Sequence, residues 1–137
     1  MAIETANGKI ELRTSEIVKL AEVTGIDLKI VGQTTLIASA STDTYITEAV
    51  VVTTATNTVT VQPTISIGIT PNWNEFLTST ALNAEMANNN RFQSFFQGIS
   101  RNTTRFGGGT TIKLNVSVGS TATTHTATVE LWGYIIP

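Results

Sequence analysis

Cysteine is absent from this 137-residue chain, charged residues make up only 13% of it, and histidine occurs once. Without cysteine the protein can form neither a disulfide framework nor a thiolate metal site. Its stability must therefore come from a hydrophobic core, a bound structural ion or association with other chains. The chain is long enough to bury such a core within one domain.

Clusters of lysine and arginine are also missing, and the formal net charge is −2. A nucleic-acid-binding protein needs a basic stripe to neutralise phosphates, so we predict no nucleic-acid partner. The longest uncharged apolar run, Ala49–Val52, is far too short to span a bilayer, and the first residues carry charges where a signal peptide needs an apolar segment. We therefore expect a soluble protein without a membrane partner, made and used without secretory export.

Groups that perform catalysis are scarce. His125 has no Asp or Glu within four residues, and the chain lacks the Gly-x-Ser-x-Gly motif of serine hydrolases. This favours a surface or interface histidine over a catalytic one. Asp43 or Glu75 could join loop carbonyls in holding Ca²⁺, since oxygen ligands need no fixed spacing, but no metal motif is present. We predict no enzyme, no catalytic or metal-binding residue and no cofactor.

Strand-forming patterns dominate what the sequence does contain. Threonine supplies 26 of the 137 residues, and its β-branched side chain suits a pleated sheet. From residue 26 onward, apolar and polar residues alternate in runs at 26–31, 35–39, 45–54, 64–69, 111–118 and 125–136. The run 45–54 is apolar on both sides at its centre, which is typical of a central strand that is covered on both faces.

About seven or eight strands at this spacing predict an all-β fold. We expect an antiparallel β-sandwich, jelly-roll-like because one long decorated connection interrupts the strands, with a small barrel as the alternative. In that connection, residues 71–103, Phe76, Leu77 and Thr80 lie at helical spacing, and so do Leu82 and Met86. The prediction there is one or two helical turns and a short strand around residues 91–96, covering one open end or face of the sandwich.

The first 25 residues are more charged and less strand-like than the rest. Ile17 and Leu20 lie at helical spacing, and Gly25 could end a helix. The sequence therefore predicts an N-terminal arm or short helix over residues 1–25 and a β-sandwich domain over residues 26–137.

Three consecutive glycines, Gly107–Gly109, raise the question of a phosphate-binding loop. Such a loop places its glycines between a strand and the N-terminus of a helix. Here residues 110–118 alternate with period two, which predicts a strand, and Lys113 falls in its middle on the polar side. The pattern favours a tight structural corner at the end of the long connection.

Trp132 and Tyr134 share one side of the last strand, opposite Leu131. With Trp73 they could stack against sugars, but Trp and Tyr are also enriched at protein–protein interfaces, and both would be core residues if Leu131 pointed outward. The pattern favours core or subunit interface over a ligand platform. The candidate partner or oligomer contacts are Trp73, Phe92, Arg101, Arg105, Phe106, Trp132 and Tyr134.

The order of segments over residues 26–136 resembles small β-sandwich virion proteins of tailed bacteriophages, both capsid decoration (cement) proteins and fibre-tip jelly-roll domains. YITEAVVVTT precedes QPTISIGITPNWNEFL, and after the glycine turn come IKLNVSV, STATTHTATV and the ending VELWGYII. The resemblance implies a structural virion component, commonly a homotrimer, with no catalytic residues. Residues 1–25 lie outside it.

Two roles are open within that group. A decoration protein binds the major capsid protein or another virion protein on the head surface, after synthesis in the host cytoplasm. A tail or fibre-tip module instead binds a receptor or a glycan through exposed aromatic residues. The chain begins with its own Met and contains no shaft or repeat, so we expect decoration, with residues 1–25 as an arm on the capsid or a neighbouring subunit.

Overall fold

The computed structural model describes residues 2–6, 9–13, 17–40, 42–96 and 105–136, with side chains from residue 17 onward. Its strands are β1 (Ala2–Ala6), β2 (Lys9–Arg13), β3 (Val18–Asp27), β4 (Gly32–Ile37), β5 (Asp43–Thr56), β6 (Thr64–Gly68), β7 (Leu77–Ala81), β8 (Phe92–Phe96), β9 (Arg105–Phe106), β10 (Ile112–Val118) and β11 (His125–Ile136). None of the helical segments in these ranges has the length and apolarity that crossing a bilayer requires.

Two antiparallel sheets form the sandwich, and the predicted all-β fold is confirmed. The first, here the β5 sheet, has the order β3-β11-β5-β8, with β9 also paired to β5. The second, the β10 sheet, has the order β4-β10-β6-β7. Strands β1 and β2 pair with each other as a separate two-stranded sheet.

The core lies between the two sheets and is built by the alternation that the sequence shows. Buried and partly buried residues alternate along much of β5, β10 and β11, and the buried ones include Ile46 and Val51 on β5, Leu114 on β10, and Val129 and Leu131 on β11, each 0% exposed. Burying one such side chain contributes about 1.5–3 kcal/mol. The alternate residues of the same strands form the two outer faces of the sandwich.

Of the two predicted forms of the N-terminal segment, an arm or a short helix, the short helix is wrong. Residues 18–27 form β3, which pairs along β11 with Val23 opposite Val129. A few apolar residues at helical spacing give only a weak local preference for a helix. Backbone pairing of this segment with the edge of β11 is stronger, because tertiary contacts override weak local propensity. β3 also runs across the predicted domain boundary between residues 25 and 26, so the sandwich includes residues 18–25.

The long connection is packed rather than loose, and a helical turn is present at Met86 but not over Phe76–Thr80. Leu77–Ala81 is β7, which pairs with β6, and one 3₁₀ turn at Ala84–Ala87 follows. The predicted short strand is β8, Phe92–Phe96. Five apolar residues of the connection enter the core: Phe76, Leu77, Leu82, Met86 and Phe95.

The glycine run is the predicted corner. Gly109 has φ of +83°, a left-handed conformation that favours glycine. Its N–H donates to the carbonyl of Ala40 at 2.6 Å, and Ala40 N–H donates to Thr110 at 2.9 Å, which anchors the turn beside the start of β10. The N–H of Thr110 donates to Gly107 at 3.3 Å. The N–H groups of Gly109 and Thr110, which a phosphate-binding loop would need, therefore already donate to carbonyls of this chain.

Candidate functional site

The last strand places Trp132 and Tyr134 on the outside of the β5 sheet. Leu131 between the two sheets is 0% exposed, while Trp132 and Tyr134 are half-buried. The core interpretation of these two aromatic residues is therefore wrong, because the strand turns Leu131 inward. A subunit interface and a ligand platform remain as the possible roles of this side of β11.

A β-bulge near the end of β11 brings a third aromatic ring into contact. The pairing of β11 with β5 shifts register between Trp132 and Gly133, and Tyr134 then lies opposite Tyr45. Their rings stack with centroids 4.9 Å apart and planes 8° from parallel. Gly133 is required here, because a Cβ atom at this position would overlap the carbonyl oxygen of Tyr45.

Strand β8 extends the same surface on the other side of β5. Phe92 pairs with Val52 and Phe96 with Glu48, and the two phenyl rings are 69% and 70% exposed. Phe95 between them faces inward. Together the five residues Tyr45, Phe92, Phe96, Trp132 and Tyr134, with Val50 and Val52 among them, form what we call the aromatic face.

Charged side chains on and beside the aromatic face are largely paired with its own residues. The indole Nε1 of Trp132 donates to the carboxylate of Glu130 at 3.0 Å. On the neighbouring strand β3, Lys19 donates to Glu22, and this hydrogen bond raises the pKa of Lys19 above its ordinary value. Glu48, which lies on β5 opposite both Trp132 and Phe96, adds a carboxylate, so the aromatic face combines apolar rings with acidic side chains.

Arg105, a predicted partner contact, is engaged within the chain. It lies opposite Tyr45 on β9, and its Nη2 donates to Asp43 Oδ2 at 2.6 Å. This hydrogen bond to Asp43 raises the pKa of Arg105. Asp43, suggested as a calcium ligand, has its carboxylate in that ion pair, and within the described residues no three His, Cys, Asp or Glu side chains group in a way that could hold a metal ion.

Phe106, another predicted contact, does not contribute to this surface. Phe106 is 3% exposed and belongs to the core, because the residue after Arg105 on β9 points between the sheets. We therefore do not retain it as a contact. Arg101 lies outside the described residues.

His125 is buried, so the expectation of a surface or interface histidine is wrong. It is the first inward residue of β11 and is 0% exposed. Its Nδ1 lies 2.8 Å from Ser120 Oγ, and its Nε2 has no hydrogen-bond partner among the described residues. Burial lowers the pKa of His125 below 6.5. The ring is therefore held neutral, as a structural group of the core.

Trp73 lies away from the aromatic face, on the β10 sheet. The ammonium of Lys113 is 4.9 Å from the centroid of its indole, and the two residues border an open cavity of about 460 Å³. The other lining residues are Ile69, Thr70, Gly109, Thr110 and Thr111. The sequence pointed to Trp73, Lys113 and the glycine turn separately, but their convergence on one cavity depends on how two loops meet.

Comparison of the chain with known protein families, with curated proteins and with solved structures yields no match in any of the three. The aromatic face and the Trp73 cavity are thus the two features from which a function can be argued.

Proposed function

We propose that this protein is a non-enzymatic structural component of a tailed-phage virion, a capsid decoration protein that binds the phage head as a homotrimer and stabilises it. The observation that carries the proposal is the aromatic face. It presents five aromatic side chains on a rigid sheet, and aromatic residues are enriched where proteins bind one another.

The strand order supports a jelly roll, a fold used by viral capsid and lectin domains. If β3 to β8 are named B to G, and β10 and β11 are named H and I, the two sheets have the orders B-I-D-G and C-H-E-F. The chain passes from one sheet to the other at most of its connections, as two interleaved Greek keys require. This agrees with the fold implied by the resemblance to phage virion proteins.

The composition of β5 supports a partner on the aromatic face. The sequence predicts a strand covered on both sides, and β5 is central in its sheet. Its inner side is covered by the β10 sheet, but Val50 and Val52 on the outer side are only partly buried by this chain. A second protein that covers them would also bury Phe92 and Phe96, the two most exposed aromatic side chains among the described residues.

The proposed action is mechanical. Aromatic faces that bind across a boundary between capsid subunits add buried apolar area, and expansion of the shell must break those contacts first. A trimer attaches at three points, so its effective affinity exceeds that of one weak contact. Since residues 18–25 belong to the sandwich, the proposed arm to the capsid or to a neighbouring subunit is shortened from residues 1–25 to residues 1–17.

The test uses the full chain and a double variant, Phe92→Ser with Phe96→Ser. We expect the native protein to sediment as a trimer and to bind the heads of the phage that encodes it, and the double variant to bind at least about tenfold more weakly. Gln33→Ala, on the outer side of the β10 sheet, is the matched control and should behave like the native protein.

Unchanged association and head binding by the double variant would contradict the proposal, provided that circular dichroism shows the same fold. Labelling of intact virions decides the location. Signal over the head supports decoration, whereas signal confined to the tail overturns it.

A second candidate is a receptor-binding or carbohydrate-binding module of a tail or fibre tip. The cavity beside Trp73 favours it, because an indole at the edge of a cleft offers a stacking surface for a sugar ring. Tyr134 is less suited to that role, since one side of its ring is already stacked on Tyr45. Labelling at the tail tip would support this candidate.

A further inference from the structure

We propose that the cavity beside Trp73 is a binding site for an acidic sugar, with the sugar ring against the indole and its carboxylate on Lys113. The inference deepens the second candidate function and does not depend on the first. The cavity and the aromatic face belong to different sheets, so each can be tested without disturbing the other.

The cavity has the size and form of a small-molecule site. Its volume of about 460 Å³ falls within the roughly 300–1,000 Å³ of typical ligand pockets. It lies between the loop after β6, which contains Thr70 and Trp73, and the glycine turn before β10. Lys113 reaches it from the outer side of β10, so the floor is a sheet strand and the walls are two loops.

Lys113 supplies the charge of the site. The salt bridges between described residues are Lys19–Glu22 and Arg105–Asp43, so Lys113 has no carboxylate partner in that part of the chain. The nearby Glu75 uses its Oε2 to accept the N–H of Ile69 at 2.7 Å and of Asn74 at 3.2 Å. A carboxylate on the ligand would give the ammonium its ion pair, and a charge-assisted hydrogen bond is among the stronger polar contacts.

The remaining lining suits a polyhydroxylated ring. Thr70, Thr110 and Thr111 line the cavity, and a threonine hydroxyl can both donate and accept. The hydroxyl of Thr111 already donates to Ala38 at 2.7 Å. A sugar matches this combination, because it has an apolar ring side for the indole and hydroxyls for the threonines. Simple phosphate does not match it, since the N–H groups of Gly109 and Thr110 donate to backbone carbonyls.

The loop that holds Trp73 is fixed in an unusual conformation. Trp73 has φ of +56°, a left-handed conformation that is costly for a residue with a Cβ, and its N–H donates to Ile69 at 2.7 Å. Glu75 packs so closely on β6 that a Cβ atom at Gly68 would overlap its carboxylate. Such strain is concentrated at functional sites, where the surroundings hold a side chain in position. The indole is therefore positioned before any ligand arrives.

The position of the cavity also agrees with attachment through the aromatic face. The outer sides of the two sheets point in opposite directions, since the core lies between them. A protein attached by the aromatic face would present Lys113 and its cavity away from the attachment surface.

The experiment titrates the full ¹⁵N-labelled chain with D-glucuronic acid and with D-glucose, which differ only in the carboxylate at C6. The indole N–H signals of Trp73 and Trp132 are followed by NMR. We expect a saturable shift of the Trp73 signal with glucuronate, and about tenfold weaker binding of glucose, as the loss of a charge-assisted hydrogen bond predicts. Lys113→Met, which keeps an apolar stem over the indole, should remove the difference between the two sugars.

Trp132→Ala is the matched control and should leave glucuronate binding unchanged, whereas Trp73→Ala should abolish it. Thr110→Val keeps the shape of the turn and should weaken the binding of glucuronate and of glucose to the same extent. Absence of a saturable shift, equal affinity for glucose and glucuronate, or an equal response to inorganic phosphate would overturn the proposal. These outcomes leave the test of the aromatic face unaffected, so failure of one proposal is distinguishable from failure of the other.

Discussion

The two outer sides of the sandwich follow the same alternation but carry different residues. The aromatic face of the β5 sheet has five aromatic side chains and two valines. The corresponding side of the β10 sheet carries Gln33, Thr35, Asn115 and Ser117, and Gln33 donates to Asn115 at 3.0 Å. Strand alternation decides which residues point outward, but the residue types decide whether that side of the sheet exposes apolar or polar side chains to water. The comparison indicates that the β5 sheet is suited to a protein partner and the β10 sheet to solvent and small polar ligands.

The largest expected effect separates the inner and outer sides of one strand. Leu131→Ala should lower the free energy of unfolding by about 3 kcal/mol, because it leaves a cavity between the sheets. Trp132→Ala, one residue further on, should cost the monomer much less, since its side chain is only half-buried, but should weaken association. Urea denaturation with sedimentation measures both quantities. Equal destabilisation by the two variants would contradict the assignment of sides.

The second prediction concerns the bulge that aligns the stacked tyrosines. Gly133→Ala should destabilise the protein by about 2 kcal/mol, because the new methyl group overlaps the Tyr45 carbonyl and the backbone must shift. It should also weaken association, since Tyr134 would leave its stack on Tyr45. The matched control is Gly107→Ala, where only Asp43 Oδ1 at 4.0 Å lies near the new methyl group. If thermal denaturation shows that Gly133→Ala and Gly107→Ala lose the same stability, the close contact of Gly133 with the Tyr45 carbonyl does not explain the destabilisation.

The smallest predicted effect is a pH dependence of stability that comes from His125, in the core between the two sheets. Burial lowers the pKa of His125 in the folded protein below 6.5, so the unfolded chain binds the proton first as pH falls. The free energy of unfolding should therefore decrease below about pH 6.5, by at most about 1.4 kcal/mol per pH unit, until the folded-state pKa is passed. The backbone of Met86 and, less strongly, the charge of Asp27 oppose this lowering of the His125 pKa and reduce its size.

Urea denaturation at several pH values between about 7 and 5 measures this slope. The free energy of unfolding of the His125→Gln variant should change less with pH over the same interval, whatever its stability at neutral pH. A variant with the slope of the native protein would show that other groups cause the acid sensitivity.

Alternation was a reliable guide where a strand has one side in the core. The predicted strands at 111–118 and 125–136 correspond to β10 and β11, and the glycine run is a corner as expected. In these segments the apolar residues of the sequence and the buried residues of the structure both recur at every second position. Local pattern was therefore enough for the fold class.

Short stretches at helical spacing were a poor guide. Residues 18–25 and 77–80 both became strands, because β11 and β6 each offered a free edge. A few apolar residues at helical spacing do not outweigh a full ladder of backbone hydrogen bonds. His125 was misassigned for a different reason: it was judged by its residue type, although it shares its side of β11 with Ala127, Val129 and Leu131, which are all buried.

By itself, the sequence determined that this protein is an all-β protein without disulfides and that the chain turns at Gly107–Gly109. Strand periodicity is a local property, and turn residues act over a few positions. Only the tertiary structure decided which side of each strand is inner, which aromatic residues meet on one face, and that Trp73, Lys113 and the glycine turn border one cavity. Those relations depend on pairing and register between residues far apart in the chain, and a single sequence does not contain that information in local form.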